Sequence, residues 1–409
     1  MRVLVSGASI AGPVLAYWLT RRGFDVTVVE RAPALRKTGG HAVDLFRPAM
    51  EISANMGVLP QIEALATGTN RMTMHREGRA RPFEIDLTKI YAATSDRHVE
   101  IMRDDLSEIY YAAGRDDVEY LFGDSITAID HEGDVTFERA PARRFDVIVG
   151  ADGLHSNVRQ LTFGDEAGLT RFLGGYLAVV SAPKALASAG EMTCHVGVGR
   201  LAGIYTAEHL ADARAVFLFR SERELDYDHR DVLRQKEFVR EAFARMHEQV
   251  DGWLGEIDRT PAFYFDAISQ LRLDRWSRRR VTLVGDAGYC PGPAVGGSTS
   301  LAVLGAYVLA GELARAEGDH LRAFAAYELQ MREPVHRSRA FARGAAKGII
   351  PGSRLGVWAL TRGAQLVSLL PGTLSRSLAK LNTSGVRMHD SMPVPDYGED
   401  DERRDAPWN

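Results

Sequence analysis

Three short stretches carry residues whose types and spacing could do chemistry. The first is GASIAG, residues 7–12, set between an apolar run and a helical pattern. Gly7 permits a tight turn, and Gly12 lets a helix pack closely on a strand. Ser9 stands where a third glycine would be usual and is small enough to keep the backbone approachable. Ile10 and Ala11 open the helix, where free N–H groups and the positive end of the helix dipole suit a pyrophosphate. Glu30 ends the next apolar run, 18 residues after Gly12, where a carboxylate can accept hydrogen bonds from a ribose. Arg31 follows it as a further candidate contact. The pattern predicts dinucleotide binding; by itself it does not separate FAD from NAD.

The second stretch is VIVGADGLHSNVR, residues 147–159, a strand pattern ending in Gly-Ala-Asp-Gly with Asp152 at its tip. Taken alone, an Asp-Gly pair is a common turn. The third is VTLVGDAGYCPGPAVGGSTSLAV, residues 281–303, where an apolar strand runs through Gly285 onto Asp286. Pro293, Gly296 and Gly297 then carry the backbone past something it approaches closely, and a helix starts near Ser298. Cys290 lies in this loop and reads as a small buried filler rather than a point of covalent attachment.

The elements that must position these residues follow from periodicity. Residues 2–6 and 25–30 read as buried strands joined by a helix over 10–22, a parallel crossover with Pro13 in its first turn. GGHAVDL reads as a turn leading into a helix near 47–57. RMTMHREGRARPFEI reads as a hairpin, and MRDDLSEIYYAAG as a helix. Strand-like runs between 171 and 220 predict an antiparallel sheet, with helices at 231–247 and again from 320 to 382, broken at IIPGS. RWSRRR at 275–280 reads as a solvated turn.

Composition sets the outer limits. The 409 residues are 45% apolar and 25% charged, enough for two soluble domains. A formal charge of −4 argues against general nucleic-acid binding. Two cysteines cannot build a disulfide framework, and a strand at the very start leaves no secretory leader, so a cytoplasmic setting is expected. The stretch LGVWALTRGAQLVSLLPG is interrupted by Arg362 and Pro371 and is not expected to span a bilayer. The twelve histidines show no metal-ligand spacing, and no metal site is expected.

In this order and spacing, GASIAG with Glu30, GADGLHSNVR and LVGDAGYCPGPAVGG resemble the group A FAD-dependent monooxygenases of the para-hydroxybenzoate hydroxylase fold, over roughly residues 1–330. GGHAVDL is similar to the tetracycline-inactivating and polyketide-tailoring branches. The resemblance implies a mixed α/β fold: a doubly wound FAD-binding domain with an inserted antiparallel-sheet substrate domain and C-terminal helices. It implies FAD-domain segments at 1–70, 99–165 and 271–330, a substrate-domain hairpin at 71–98 and sheet at 166–270. C-terminal helices at 331–388 and a disordered acidic tail at 389–409 follow. By the same resemblance, Asp286 holds the ribityl chain and Asp152 braces a cofactor loop. Arg103 reaches the flavin nucleotide, and Asp44 contacts FAD. Gly288-Tyr289 and Gly297-Ser298 depart from the usual Ala-His and Gln-Gly. The implied reaction reduces FAD with NADPH or NADH and activates O₂ as a flavin 4a-hydroperoxide. That species hydroxylates an aromatic or polycyclic small molecule, with the enzyme a monomer or homodimer. A Baeyer–Villiger oxygenase, an FAD-dependent reductase and a non-catalytic FAD-binding redox sensor stay open as alternatives. A flavin halogenase is disfavoured because no WxWxIP segment is present.

Overall fold

A computed structural model describes residues 1–35, 40–94, 97–164, 168–228, 230–260, 262–293, 297–369 and 389–398. One layer is a six-stranded sheet. Its spatial order is Ser277–Arg278, Val281–Leu283, Val147–Gly150, Arg2–Ser6, Asp25–Glu30 and Glu119–Phe122. Every neighbouring pair is parallel except the hairpin at the first edge. Strands buried on both faces need no polar alternation, which is why RVLVS, VIVG and VTL read as unbroken apolar runs. The register aligns their ends: Ser6 lies opposite Val29 and Gly150, and Gly150 opposite Leu283. The loops that leave these strands therefore emerge at one level on the carboxyl edge of the sheet.

Helix Ala11–Arg21 packs on helix Ser298–Arg315, which is buried on nearly every side between it and the long helix His320–Ile349. This arrangement brings the amino ends of two helices toward the same sheet edge.

A seven-stranded sheet forms the second layer, in the order Phe263–Leu271, Thr170–Pro183, Asp212–Arg220, Arg200–Tyr205, Glu191–Gly197, Arg71–Arg76 and Phe83–Asp86. The early hairpin thus ends the same sheet, running parallel to Glu191–Gly197. Side chains alternate across it with the strand period of two. Tyr176, Ala178 and Val180 face helices Val232–Phe243 and Glu248–Gly255, while Leu177 and Val179 meet Ala342, Ala346 and Ile350. Helix Arg354–Leu369 covers Met74 and Ile85 of the hairpin.

Two expectations are corrected. Within GGHAVDL, Ala42–Phe46 is a strand, paired antiparallel with His98–Met102, where a turn was expected. The segment from 389 is not a free tail as far as residue 398. His389 and Met392 are buried, and Tyr397 lies under the Arg315 guanidinium at 4.2 Å. Arg47 holds Asp390 through its backbone N–H, at 3.1 Å, and its Nε, at 2.9 Å to the carbonyl. Local acidity predicted solvation, but three anchoring side chains and these bonds offset the ordering cost. Residues 399–409 lie outside the described residues. No helix among the described residues is long and apolar enough to cross a membrane.

Candidate active site

The three sequence stretches meet in one cavity of about 360 Å³. Gly7, Ser9, Ile10 and Ala11 line it, as do Glu30, Arg31, Arg103, Asp152, Asp286 and Pro293. Gly7 has φ +108°, and a Cβ on it would stand 2.5 Å from the Ala151 carbonyl oxygen. The first two loops therefore touch through bare backbone, and the Ala151 N–H donates to the Ser6 carbonyl at 2.8 Å. Gly12 does not line the cavity: its missing Cβ makes room for the Gly7 carbonyl, which would be 1.9 Å away. The helix behind has no side-chain cap at Ile10, so its first N–H groups are open toward the cavity. Glu30 accepts from the Ala8 N–H at 3.0 Å and the Ala32 N–H at 2.8 Å, which fixes its carboxylate at the outer end. Ser107, from the helix begun by Arg103, donates to the Ser9 carbonyl at 3.0 Å and braces the same loop.

Asp152 spends its carboxylate on its own loop, accepting from Ser156 Oγ and from the Val158 N–H at 3.1 Å. Burial raises its pKa, opposed by these bonds. Arg159 ends the GADGLHSNVR stretch but was not singled out from sequence. It is fully buried, donating to the Ala287 carbonyl at 2.9 Å and to the Leu154 carbonyl. One guanidinium thus ties the second loop to the third. A charged side chain at the end of the GADGLHSNVR stretch was its only sequence signal.

Asp286 sits at the inner end, on the short helical turn Asp286–Tyr289 that Gly285 introduces at φ +65°. Burial raises its pKa; a hydrogen bond from the Cys290 thiol and the charge of Arg103 oppose this. Burial and the Asp286 charge push the Cys290 thiol well up, which keeps it protonated and unreactive. Gly296 lies outside the described residues. Gly297 is left-handed at φ +81°; its missing side chain is replaced by the His389 ring, 2.1 Å from where a Cβ would be. Neither Gly285 nor Gly297 lines the cavity, but Ser298, Thr299 and Ala302 of the following helix do.

Asp44 is placed differently from expectation. On strand Ala42–Phe46 it faces away from the cavity and pairs with His98 Nε2 at 2.6 Å, while His41 and Val43 line the cavity instead. Strand alternation decides this, and a turn reading could not supply it. Burial and the Arg103 charge lower His41 to about 4, so it is neutral. The far wall comes from the inserted sheet. Asp266 lies 3.3 Å from both His155 Nε2 and the Tyr264 hydroxyl. None of these wall residues was singled out from sequence.

The cradle fits an extended dinucleotide. Bare glycine backbone, two helix amino ends, the carboxylates of Glu30 and Asp286 and the guanidinium of Arg103 line it, the kinds of group that a pyrophosphate and sugar hydroxyls would need. Comparison with known proteins agrees. The family model described as "FAD binding domain" matches residues 1–326. An uncharacterized protein of Mycobacterium tuberculosis is 43% identical over 346 residues, covering 82% of this chain and 91% of its own. A flavin-dependent monooxygenase of Legionella longbeachae is 35% identical, covering 83% and 87%. The solved structure of the tetracycline destructase Tet(55) superposes with a TM-score of 0.82 at 31% identity, over 97% of this chain and 98% of its own. A match across about four-fifths of the chain, with relatives this similar over most of their length, makes the chain a member of the FAD binding domain family and a group A FAD-dependent monooxygenase.

Proposed function

We propose that this enzyme draws electrons from NADPH or NADH and inserts one oxygen atom of O₂ into an aromatic or polycyclic, polyketide-like small molecule. The observation that carries this reading is the continuity of the cleft. The cavity that gathers the three cofactor loops is closed at its other side by Tyr264 and Asp266 of the inserted sheet. Bound FAD would supply electron storage and O₂ activation, chemistry no side chain here can perform.

The chain's own residues bind, orient and shield. Asp286 and Glu30 would accept hydrogen bonds from hydroxyl groups of the cofactor, and Arg103 would offset phosphate charge. The amino end of helix Ser298–Arg315 favours negative charge nearby. The neutral His41 and the paired Tyr264, Asp266 and His155 form a polar wall that can orient a phenolic or enolic group while the sheet excludes water. Tet(55), named as a tetracycline destructase, supports a polycyclic substrate over a simple benzoate. Only one dinucleotide loop was read from the sequence, which suits a nicotinamide cofactor that docks transiently.

The test is NADPH and NADH oxidation by FAD-loaded enzyme across a panel of polycyclic phenols. Slow oxidation alone, sharp acceleration by a ligand and ¹⁸O from ¹⁸O₂ in the product are expected. Product reduced without label would favour the reductase reading. An oxygen inserted between ring carbons would favour the Baeyer–Villiger reading. No acceleration by any ligand would favour the redox sensor.

A further inference from the structure

A second group of basic nitrogen atoms lies outside the flavin cleft. His75 on strand Arg71–Arg76 and His195 on strand Glu191–Gly197 are register partners, and their rings stack with centres 4.4 Å apart. His247 precedes helix Glu248–Gly255, its ring centre 4.3 Å from His195 and 5.5 Å from His75. One ligating nitrogen from each lies within 4.8 Å of the others.

We propose that His75, His195 and His247 bind one divalent transition-metal ion of the zinc, cobalt, nickel or copper class. An all-imidazole set suits these ions and disfavours magnesium and calcium, which take oxygen ligands. In a tetrahedral site with bonds of about 2.0–2.1 Å, ligand nitrogens stand roughly 3.4 Å apart. Closing the present spacing takes roughly an ångström of movement, and His75 and His247 are only half-buried, free to turn without disturbing the core. His195 is buried and already fixed: its Nε2 donates to Gln249 Oε1 at 2.9 Å, which leaves the lone pair on Nδ1. Outer hydrogen bonds of this kind set the tautomer of metal-bound imidazoles. Burial and the neighbouring rings lower the pKa of His195 and His75, which favours the neutral imidazole that ligation needs.

Binding has a local consequence. His247 Nδ1 accepts from the Gln249 N–H at 3.2 Å and so caps its helix. An ion on Nδ1 displaces that bond, and an ion on Nε2 moves a proton to Nδ1 with the same result. The ion therefore replaces a helix cap with a cross-link between hairpin, sheet and helix. Three protein ligands leave a fourth position for water. Linear spacing predicted no metal site because the ligands come from three distant elements.

The test uses the full FAD-loaded chain, without a histidine tag, stripped by a chelator. Zn²⁺ is titrated against a chromophoric chelator, and Co²⁺ is followed by its visible absorption. We expect one ion per chain with a Kd at or below about 10 μM, a four-coordinate Co²⁺ band, and a Zn²⁺-dependent rise in unfolding temperature. His75→Ala and His247→Ala should each weaken binding at least tenfold, whereas His131→Ala, on an exposed turn, should not. The proposal is overturned if wild type binds no stoichiometric ion, or if binding survives in the His75→Ala/His247→Ala double variant. If an alanine variant loses its flavin through misfolding, the wild-type Co²⁺ spectrum decides alone, and a six-coordinate aquo-like spectrum overturns the site.

Discussion

Replacing Gly7 and Gly153 by alanine separates two reasons for glycine in the cofactor loops. Both residues have positive φ, +108° and +82°, so each substitution strains the backbone by about 1–2 kcal/mol. Their surroundings differ. A Cβ on Gly153 meets nothing within 4 Å, whereas on Gly7 it falls 2.5 Å from the Ala151 oxygen and 2.8 Å from its carbon. Those atoms belong to backbone held by the Ala151–Ser6 hydrogen bond and cannot swing aside as a side chain would. Overpacking adds about 1–3 kcal/mol. Gly7→Ala should therefore lose about 2–5 kcal/mol of apo-protein stability and Gly153→Ala only about 1–2 kcal/mol. The collision should also spread the first two loops and misalign the N–H groups proposed to hold the pyrophosphate. Losing one charge-assisted bond of about 1.5–3 kcal/mol weakens FAD binding roughly tenfold or more. Urea unfolding of the flavin-free chains gives the stability difference, and quenching of flavin fluorescence gives the affinities. Equal losses for the two variants would refute the reasoning, because contact with Ala151 would then not be what demands glycine at position 7.

Asp286→Ala should weaken FAD binding by about 10- to 150-fold, the equivalent of one charged hydrogen bond. Asp130→Ala, on an exposed turn, should leave it unchanged; equal affinities by equilibrium dialysis would remove Asp286 from the site. Glu100 gives a pH prediction. Burial and the Asp44 charge raise its pKa to about 7, so the folded chain holds a proton that the unfolded chain, near 4.5, releases. Its stabilising contribution is full below about pH 4.5 and is lost as pH rises toward 7, on the order of 2–3 kcal/mol. Glu100→Gln should flatten that decline in denaturant midpoint, and an unchanged slope would contradict it.

How much was legible in the sequence depends on how far each rule reaches. GASIAG, Glu30, GADG and the Gly285-Asp286 turn obey rules that act within a few residues: a positive φ, a helix amino end, an acid closing an apolar strand. Those rules also predicted their strands and helices, and parallel register then carried the strand ends to one edge. Asp44 shows where local reading ends, since which of two adjacent residues faces a cavity depends on which face of a strand is packed. Tyr264, Asp266 and His155 meet only because the inserted sheet folds back over the cofactor loops. Arg159 reads as one more surface arginine until two carbonyls 133 residues apart, on Leu154 and Ala287, converge on it. His389 anchors a segment whose composition predicts solvation, because Gly297 leaves a space of its size. Residue types alone were enough for the backbone turns within the three cofactor loops and for their order, whose causes are local sterics and hydrogen bonding. Tertiary structure alone decided which side chains converge, because that depends on register and packing between elements far apart in the chain.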